Sequence, residues 1–237
     1  MIREMIVLAG GLDTRLKTVL PDLPKCLAPV NGRPFLEYLL IHFRKQGIER
    51  FIFALGHKAE LVEQFVTVHF NSSEYTFSVE QEPLGTGGAI YQACGHVNDP
   101  DVLVINADTF FAVNLKAMSE QHRKTKADCT LALKSMKRFD RYGSIKQNAL
   151  HRITGFHEKR FMEEGLINGG IYALHVPRFI SNHFPKVFSF EKDYLEKQVG
   201  QGKIYGMVSE GWFIDIGIPE DYQRAQQELL QHINDGI

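Results

Sequence analysis

Short apolar runs that end in glycine or an acid alternate with stretches of helical periodicity, and this rhythm restricts the chain to few architectures. The run Met5 to Ala9 reads as a buried strand closing on Gly10 and Gly11, since an unbroken apolar stretch bounded by turn residues suits a strand covered on both faces. Phe35 to Gln46 reads as a helix closed by Gly47, and Arg50 to Leu55 as the next strand. A helix is predicted near Ala59 to Phe70, with Val62, Phe65, Val66 and Phe70 on one face. The third unit has a strand near Thr76 to Val79, a glycine-rich turn at Gly85 to Gly88, a helix through Ala89 and Ala93, and the strand Val102 to Asn106. Such repetition predicts an α/β, Rossmann-like, doubly wound and mostly parallel mixed sheet.

After a helix near Leu115 to Thr125 the rhythm changes. Shorter apolar stretches at Thr130 to Leu133, Ile153 to Phe156 and Ile171 to Leu174 are separated by polar and glycine turns, which predicts mixed sheet and lid. The chain closes with a helix from Pro219, with Glu220 and Asp221 in its first turn and Tyr222, Ala225, Leu229 and Ile233 on one face. No linker or internal repeat divides the 237 residues, so a single domain is expected. Its first half, about 1–110, and its second, about 111–237, have different textures.

Composition narrows the partners. With 27 basic against 28 acidic residues the formal charge is −1, and no stripe of one sign predicts nucleic acid or a membrane surface as a partner. The apolar run before Gly10 is too brief for a signal-peptide core or a membrane span. Cys26, Cys94 and Cys129 are odd in number and far apart, which fits small buried residues in a reducing compartment, so a cytoplasmic chain is expected. The ten histidines form no HExxH spacing, and no GxSxG elbow is present.

In open α/β sheets ligands sit beyond the carboxyl ends of the strands. Directly after the first strand comes Ala9-Gly10-Gly11-Leu12-Asp13-Thr14-Arg15-Leu16, with Pro24-Lys25 beyond. Adjacent glycines let main-chain N–H groups approach a polyphosphate, and Arg15 and Lys25 supply charge for its oxygens. Taken alone, the glycine pair also fits a plain turn with two solvated basic residues. The run lacks the GxGxxG fingerprint and the lysine-serine or lysine-threonine ending of a P-loop, which argues against a dehydrogenase or a kinase.

LAGGLDTRL followed by PK resembles the signature of the sugar-1-phosphate nucleotidyltransferases, and the similarity runs through most of the chain. SVEQEPLGTGGAI, NGGIY and SFEKDYLEK resemble the short members that guanylylate D-glycero-D-manno-heptose 1-phosphate. The resemblance implies a glycosyltransferase-A-like nucleotidyltransferase domain without a C-terminal β-helix. Its halves would bind nucleotide (about 1–110) and sugar phosphate (about 111–237). It implies transfer of GMP from GTP to a sugar 1-phosphate with release of pyrophosphate, Mg²⁺ as cofactor, and a monomer or homodimer.

Residue by residue, the resemblance places Leu8, Ala9, Gly10, Gly11, Thr14, Arg15, Lys25, Glu80, Gly85, Thr86, Asn106 and Asp108 on the nucleotide, with Arg15, Lys25 and Asp108 catalytic. One departure is Asp13, where the family usually has glycine, because a carboxylate beside a triphosphate repels it unless a cation intervenes. Guanine offers two adjacent donors that one carboxylate can accept together, so Glu80, or its neighbour Glu82, favours GTP over uracil or thymine nucleotides. Asp108 and Asp215 each follow an apolar strand and are implied as ligands of Mg²⁺, a hard cation held by one or two carboxylates plus substrate phosphates. Singly, each also reads as a turn or cap residue.

The acceptor is implied to meet Tyr142, Gly143, Glu158, Lys159, Asn168, Gly169 and, within the heptose-like segment, Glu191. Lys159 can neutralise its phosphate, and Glu158 and Asn168 can hold hydroxyls. Gly143 and Gly169 also read as turn or bulge residues, and Glu158-Lys159 as an exposed pair. A mannose-1-phosphate guanylyltransferase, a short uridylyl- or thymidylyltransferase, and a degenerate nucleotide-sugar sensor are the rival readings.

Overall fold

A computed structural model describes residues 1–11 and 23–234. Thr14 and Arg15, with Asp13, lie outside the described residues.

In chain order the elements are β1 (Glu4–Leu8), a hairpin of β2 (Pro29–Val30) and β3 (Arg33–Pro34), α1 (Phe35–Lys45), β4 (Arg50–Leu55), α2 (Ala59–His69), β5 (Tyr75–Val79), α3 (Gly85–Cys94), β6 (Asp101–Asn106), β7 (Thr109–Phe111) and α4 (Leu115–Thr125). There follow β8 (Cys129–Phe139), β9 (Ser144–Gln147), β10 (Ile153–His157), β11 (Met162–His175), α5 (Val176–Ile180), a π-helical turn Phe190–Leu195 running into α6 (Glu196–Gln198), β12 (Ile204–Ser209), β13 (Phe213–Asp215) and α7 (Pro219–Asn234).

Among the described residues, nine strands form the main sheet. Strands β5, β4, β1 and β6 lie side by side and parallel. Next to β6 comes β11, antiparallel, and then β8 and β12. The first, protruding part of β11 also carries β9 and β10. This is the mostly parallel mixed sheet that the alternation predicts.

The core explains why the parallel strands read as continuous apolar runs. Met5 and Val7 of β1, Phe51 and Phe53 of β4, and Leu103 and Ile105 of β6 pack on one face with α1, α2 and α7. Ile6, Ile52, Ala54, Val102 and Val104 pack on the other with α3 and α5. Side chains alternate across a strand, so burying both faces demands apolar residues at every position. Each fully buried large side chain contributes roughly 1.5–3 kcal/mol. On α7, Tyr222, Ala225, Leu229 and Ile233 are all buried, as their spacing predicts.

Two boundaries differ from the sequence reading. Gly85 to Gly88 are the first turn of α3 rather than a separate turn, because the glycines allow the close packing described below. The short stretches Thr130 to Leu133 and Ile171 to Leu174 are the buried parts of the long strands β8 and β11, whose outer parts emerge into solvent and lose the apolar signal. All three cysteines are buried and unpaired. No helix among the described residues is long and apolar enough to cross a membrane.

Candidate active site

Strand order reverses at β1, since successive parallel strands step outward through β4 and β5 and then return to β6 on its other side. A crevice opens at the carboxyl ends of the strands flanking such a reversal. Leu8 pairs in register with Asn106, and the Ala107 N–H donates to the Leu8 carbonyl at 3.1 Å. The loops after β1 and β6 therefore leave the sheet side by side.

Gly10 is fixed by close approach, because a Cβ there would stand 2.8 Å from the Gly56 nitrogen. Gly11 has open space where a side chain would be, so its bare α-carbon faces the crevice. Gly56, which the sequence reading missed, has the same setting as Gly10, an apolar strand ending in glycine. A Cβ at Gly56 would lie 2.4 Å from Oε1 of Glu80. Glu80 Oε2 accepts from the Leu84 N–H at 3.1 Å, and burial pushes the Glu80 carboxyl up from its ordinary value, partly offset by that N–H. Glu82 is instead ion-paired with Lys186 on the surface.

The glycines at the start of α3 meet the segment around Phe188. A Cβ at Gly85, whose φ is +71°, would be 2.6 Å from the Phe188 carbonyl oxygen, and one at Gly87 would be 2.2 Å from its ring. Thr86 is thereby held beside the π-helical turn. Its hydroxyl donates to Oε2 of Glu191 at 2.8 Å and accepts from the Phe190 N–H at 2.9 Å. The Ser189 hydroxyl reaches the same Glu191 oxygen at 3.0 Å.

The acidic pair lies at the base of this edge. Antiparallel pairing of β7 with β13 sets Asp215 opposite Thr109, and the Ile216 N–H donates to the Asp108 carbonyl at 3.0 Å. Asp108 and Asp215, far apart in sequence, are thus neighbours. Lys25 sits on a 3₁₀ turn (Lys25–Leu27) anchored by buried Cys26 and Leu27, and its Nζ lies 3.3 Å from Oδ2 of Asp108. Burial, and next the charge of Asp108, push the Asp215 carboxyl up, opposed by the Gly217 N–H at 2.8 Å and by Lys25. Burial likewise pushes the Cys26 thiol up to about 12, so no thiolate stands ready here. Among the described residues, no group of three or more histidine, cysteine, aspartate and glutamate side chains gathers as a metal site.

One cleft of ≈ 710 Å³ gathers Leu8, Ala9, Gly10, Gly11, Lys25, Glu80, Gly85, Thr86, Asn106 and Asp108, together with Glu191. The residues that the resemblance implies for the acceptor are more dispersed. The Asn168 side chain donates to the Tyr172 hydroxyl at 2.8 Å and accepts from the Gly170 N–H at 3.1 Å, in a bulge of β11 that meets Asn106. Gly169 is needed for packing, since its Cβ would stand 2.4 Å from the Phe111 ring. Gly143 is likewise closed by the His157 carbonyl oxygen, 2.7 Å from a Cβ position. Glu158 and Lys159 are exposed and line neither cavity. Tyr142 borders a second cavity, of ≈ 160 Å³, with Arg138, Arg141, Phe213, Asp215, Asp221 and Arg224. Of these seven, Arg138, Arg141, Phe213, Asp221 and Arg224 were not among the candidate site residues read from the sequence, Asp221 having been read only as an acid in the first turn of a helix.

A model of the nucleotidyl transferase family matches residues 4–232. The chain belongs to that family. It is 45% identical over 230 residues to the D-glycero-alpha-D-manno-heptose 1-phosphate guanylyltransferase of Aneurinibacillus thermoaerophilus, covering 97% of this chain and 100% of that one. The enzyme of the same name from Campylobacter jejuni subsp. jejuni serotype O:2 is 40% identical over 219 residues, covering 92% and 96%. The crystal structure of HddC from Yersinia pseudotuberculosis complexed with GMP-PN superposes with a TM-score of 0.86 at 34% identity, covering 96% of this chain and all of that one. This chain is a nucleotidyltransferase by family, and its sheet is the nucleotidyltransferase fold.

Proposed function

We propose that this enzyme transfers GMP from GTP to D-glycero-α-D-manno-heptose 1-phosphate and releases pyrophosphate. The observation that carries the reading is the meeting of Asp108 and Asp215 beside Lys25, at the mouth of the cleft where the strand order reverses. The guanylyl donor and heptose acceptor are supported by the two heptose 1-phosphate guanylyltransferases matched along nearly their whole length. GMP-PN in the HddC crystal structure supports a guanine nucleotide in the large cleft.

In this reading residues 1–110 hold the nucleotide and 111–237 the acceptor. Glu80, oriented by the Leu84 N–H, accepts the N1–H and 2-amino group of guanine. An oxygen of the acceptor phosphate attacks the α-phosphorus in line, a new phosphorus–oxygen bond forms, and the bond to the β-phosphate oxygen breaks with its electrons leaving on pyrophosphate. A phosphate monoester has its second pKa near ~6, so the nucleophile is already ionised at neutral pH and needs no protein base. The remaining barrier is repulsion between anions, and Lys25 and Arg15 offset it while the glycine loop fixes position.

A divalent cation fits the acidic pair. The two carboxylates supply hard oxygen donors, and the charge of Asp108 already works against ionisation of Asp215, a repulsion that a cation would relieve. Asp108 and Asp215 would hold Mg²⁺, which when bound neutralises phosphate charge. Three buried, unpaired cysteines support a reducing, cytoplasmic setting.

The test is pyrophosphate release with Mg²⁺ across GTP, UTP, dTTP, ATP and CTP, each with heptose, mannose, glucose and amino-sugar 1-phosphates. Release that peaks with GTP and the heptose phosphate is expected. A maximum at another pair overturns the substrate assignment. Binding of GDP-heptose without release from any pair would make the chain a sensor, with Asp13 the first residue to revert to glycine.

A further inference from the structure

Lys25 and Asp215 are both placed with reference to α7. Asp215 stands shortly before Pro219, where α7 begins, and Lys25 shortly before Pro29, where the hairpin of β2 and β3 begins. That hairpin is held by α7. Its tip is Asn31 and Gly32, between paired Val30 and Arg33, with φ of +49° and +80°. A two-residue hairpin turn needs left-handed backbone at both positions, and asparagine followed by glycine adopts it at least cost. The Asn31 N–H donates to Oε1 of Gln226 at 2.9 Å, and its side-chain amide donates to the Gln226 carbonyl at 3.0 Å. Gln226 Nε2 donates to the Pro29 carbonyl at 2.7 Å, and the Tyr222 hydroxyl donates to the same oxygen at 2.6 Å. Tyr222 and Gln226 are four residues apart on one face of α7, so the helix fills both lone pairs of that carbonyl.

The path from Pro29 back to Lys25 is short and packed. Cys26, Leu27 and Ala28 are buried, and the Ala28 N–H donates to the Lys25 carbonyl at 2.9 Å. A displacement of Pro29 therefore reaches Lys25 with little loss, because close-packed interiors transmit strain. The Lys25 side chain is 18% exposed, so its stem is confined and cannot absorb such a shift by changing rotamer freely. At its far end Nζ lies 3.3 Å from Oδ2 of Asp108 and 3.3 Å from where a Cβ at Gly217 would stand. That same Cβ position is 2.8 Å from Oδ1 of Asp215, the oxygen that accepts from the Gly217 N–H. The ammonium is thus fitted between the two acids, and the hairpin fixes the backbone from which it reaches them.

We propose that Gln226, which lines neither cavity, is a positioning residue for Lys25: by gripping the Asn31-Gly32 turn and the Pro29 carbonyl it sets where the ammonium stands against Asp108 and Asp215. Tyr222 assists it at the same carbonyl. This rests on the guanylyltransferase reading and adds α7, remote from the reacting atoms, to the machinery of that reaction.

The test is a double-mutant cycle on the full chain with Mg²⁺, GTP and D-glycero-α-D-manno-heptose 1-phosphate, in which Gln226→Ala and, separately, Tyr222→Phe are combined with Lys25→Ala. With Lys25 present, Gln226→Ala is expected to lower kcat roughly tenfold and Tyr222→Phe, which removes one of two donors, about threefold, with KM for the heptose phosphate within about twofold of the parent. In the Lys25→Ala background neither should lower kcat further by more than about twofold, because the group they position is gone. A role in stability alone would lower activity by the same factor in both backgrounds. That result, or an unmoved kcat with Lys25 present, would overturn the proposal. Gln226 is partly exposed and Tyr222→Phe keeps its ring, so each arm of the cycle has a variant that preserves the packing. Calorimetric Kd for GTP on the same proteins separates the proposal from the reading beneath it. If the parent binds GTP but releases no pyrophosphate, the guanylyltransferase reading fails, and Gln226→Ala should still weaken GTP by roughly threefold with Lys25 present and not without it. Equal weakening in both backgrounds then defeats the positioning role, and a parent that binds no GTP defeats both.

Discussion

Single residues at this site do work that depends on what touches them. Lys25 lies against Asp108, and in the proposed reading this holds its ammonium where the phosphates arrive. Lys25→Ala or Asp108→Asn should lower kcat by roughly 10²–10³-fold, the range seen when one electrostatic stabiliser is removed, with little change in thermal unfolding. Pyrophosphate release near the parent rate would exclude either residue from the chemistry. Glu80→Gln exchanges a carboxylate that accepts on both oxygens for an amide that also donates. It should therefore reduce the kcat/KM preference for GTP over UTP by about tenfold or more, and an unmoved preference would remove Glu80 from base reading. Gly87 tests packing rather than chemistry. Its Cβ would stand 2.2 Å from the Phe188 ring, so Gly87→Ala should destabilise by about 1–3 kcal/mol, read as a shifted denaturant midpoint.

At the scale of elements, α1 is joined to the neighbourhood of the acidic pair through His42. Its ring packs 4.7 Å from that of Phe110 in β7 and meets Gln46 at 2.9 Å, and Gln46 in turn accepts from the N–H of Leu115 at the start of α4. Burial, and secondarily Lys45, push His42 down to about 4. Between pH 6.5 and 4 the unfolded chain binds a proton here that the folded chain does not, so this group makes stability fall as pH falls through that window. Denaturant unfolding at several pH values should show a shallower slope for His42→Gln than for the parent; parallel slopes would contradict the assignment. Elements with strong periodicity were legible in the sequence: β4 and α4 fall where predicted, since full burial of one and the one-sided periodicity of the other leave a clear pattern. The pairing of β7 with β13 was not, because three-residue strands have too short a period to read and their partnership is decided by tertiary contact. Gly10 and Asp108 could be found because they end apolar strands. Gly143 and Gly169 were legible as glycines but not in purpose, since the groups that close on them come from other elements. Asp221 read as an ordinary acid at a helix start, and nothing local announces Arg141 as its partner.

For the molecule as a whole, the acidic pair joins its two halves and also sets its electrostatic problem. Asp108 follows β6 and lines the ≈ 710 Å³ cleft, and Asp215 ends β13 and lines the ≈ 160 Å³ cavity. Without a cation these carboxylates repel the triphosphate as well as each other, so binding of GTP should be coupled to a divalent ion. A ligand at a hundredfold excess over its Kd stabilises the folded state by about 2.7 kcal/mol. For a chain of this length 1 kcal/mol corresponds to roughly 2–4 °C in Tm, so GTP with Mg²⁺ should raise Tm by about 5–10 °C. GTP with a chelator should raise it far less. In Asp108→Asn or Asp215→Asn one repelling charge is gone along with one cation ligand, and the thermal shift with GTP should lose most of its dependence on Mg²⁺. Thermal unfolding of the three proteins, each with and without GTP and Mg²⁺, measures this. If the parent gains as much from GTP in chelator as in Mg²⁺, the pair does not hold a cation for the nucleotide.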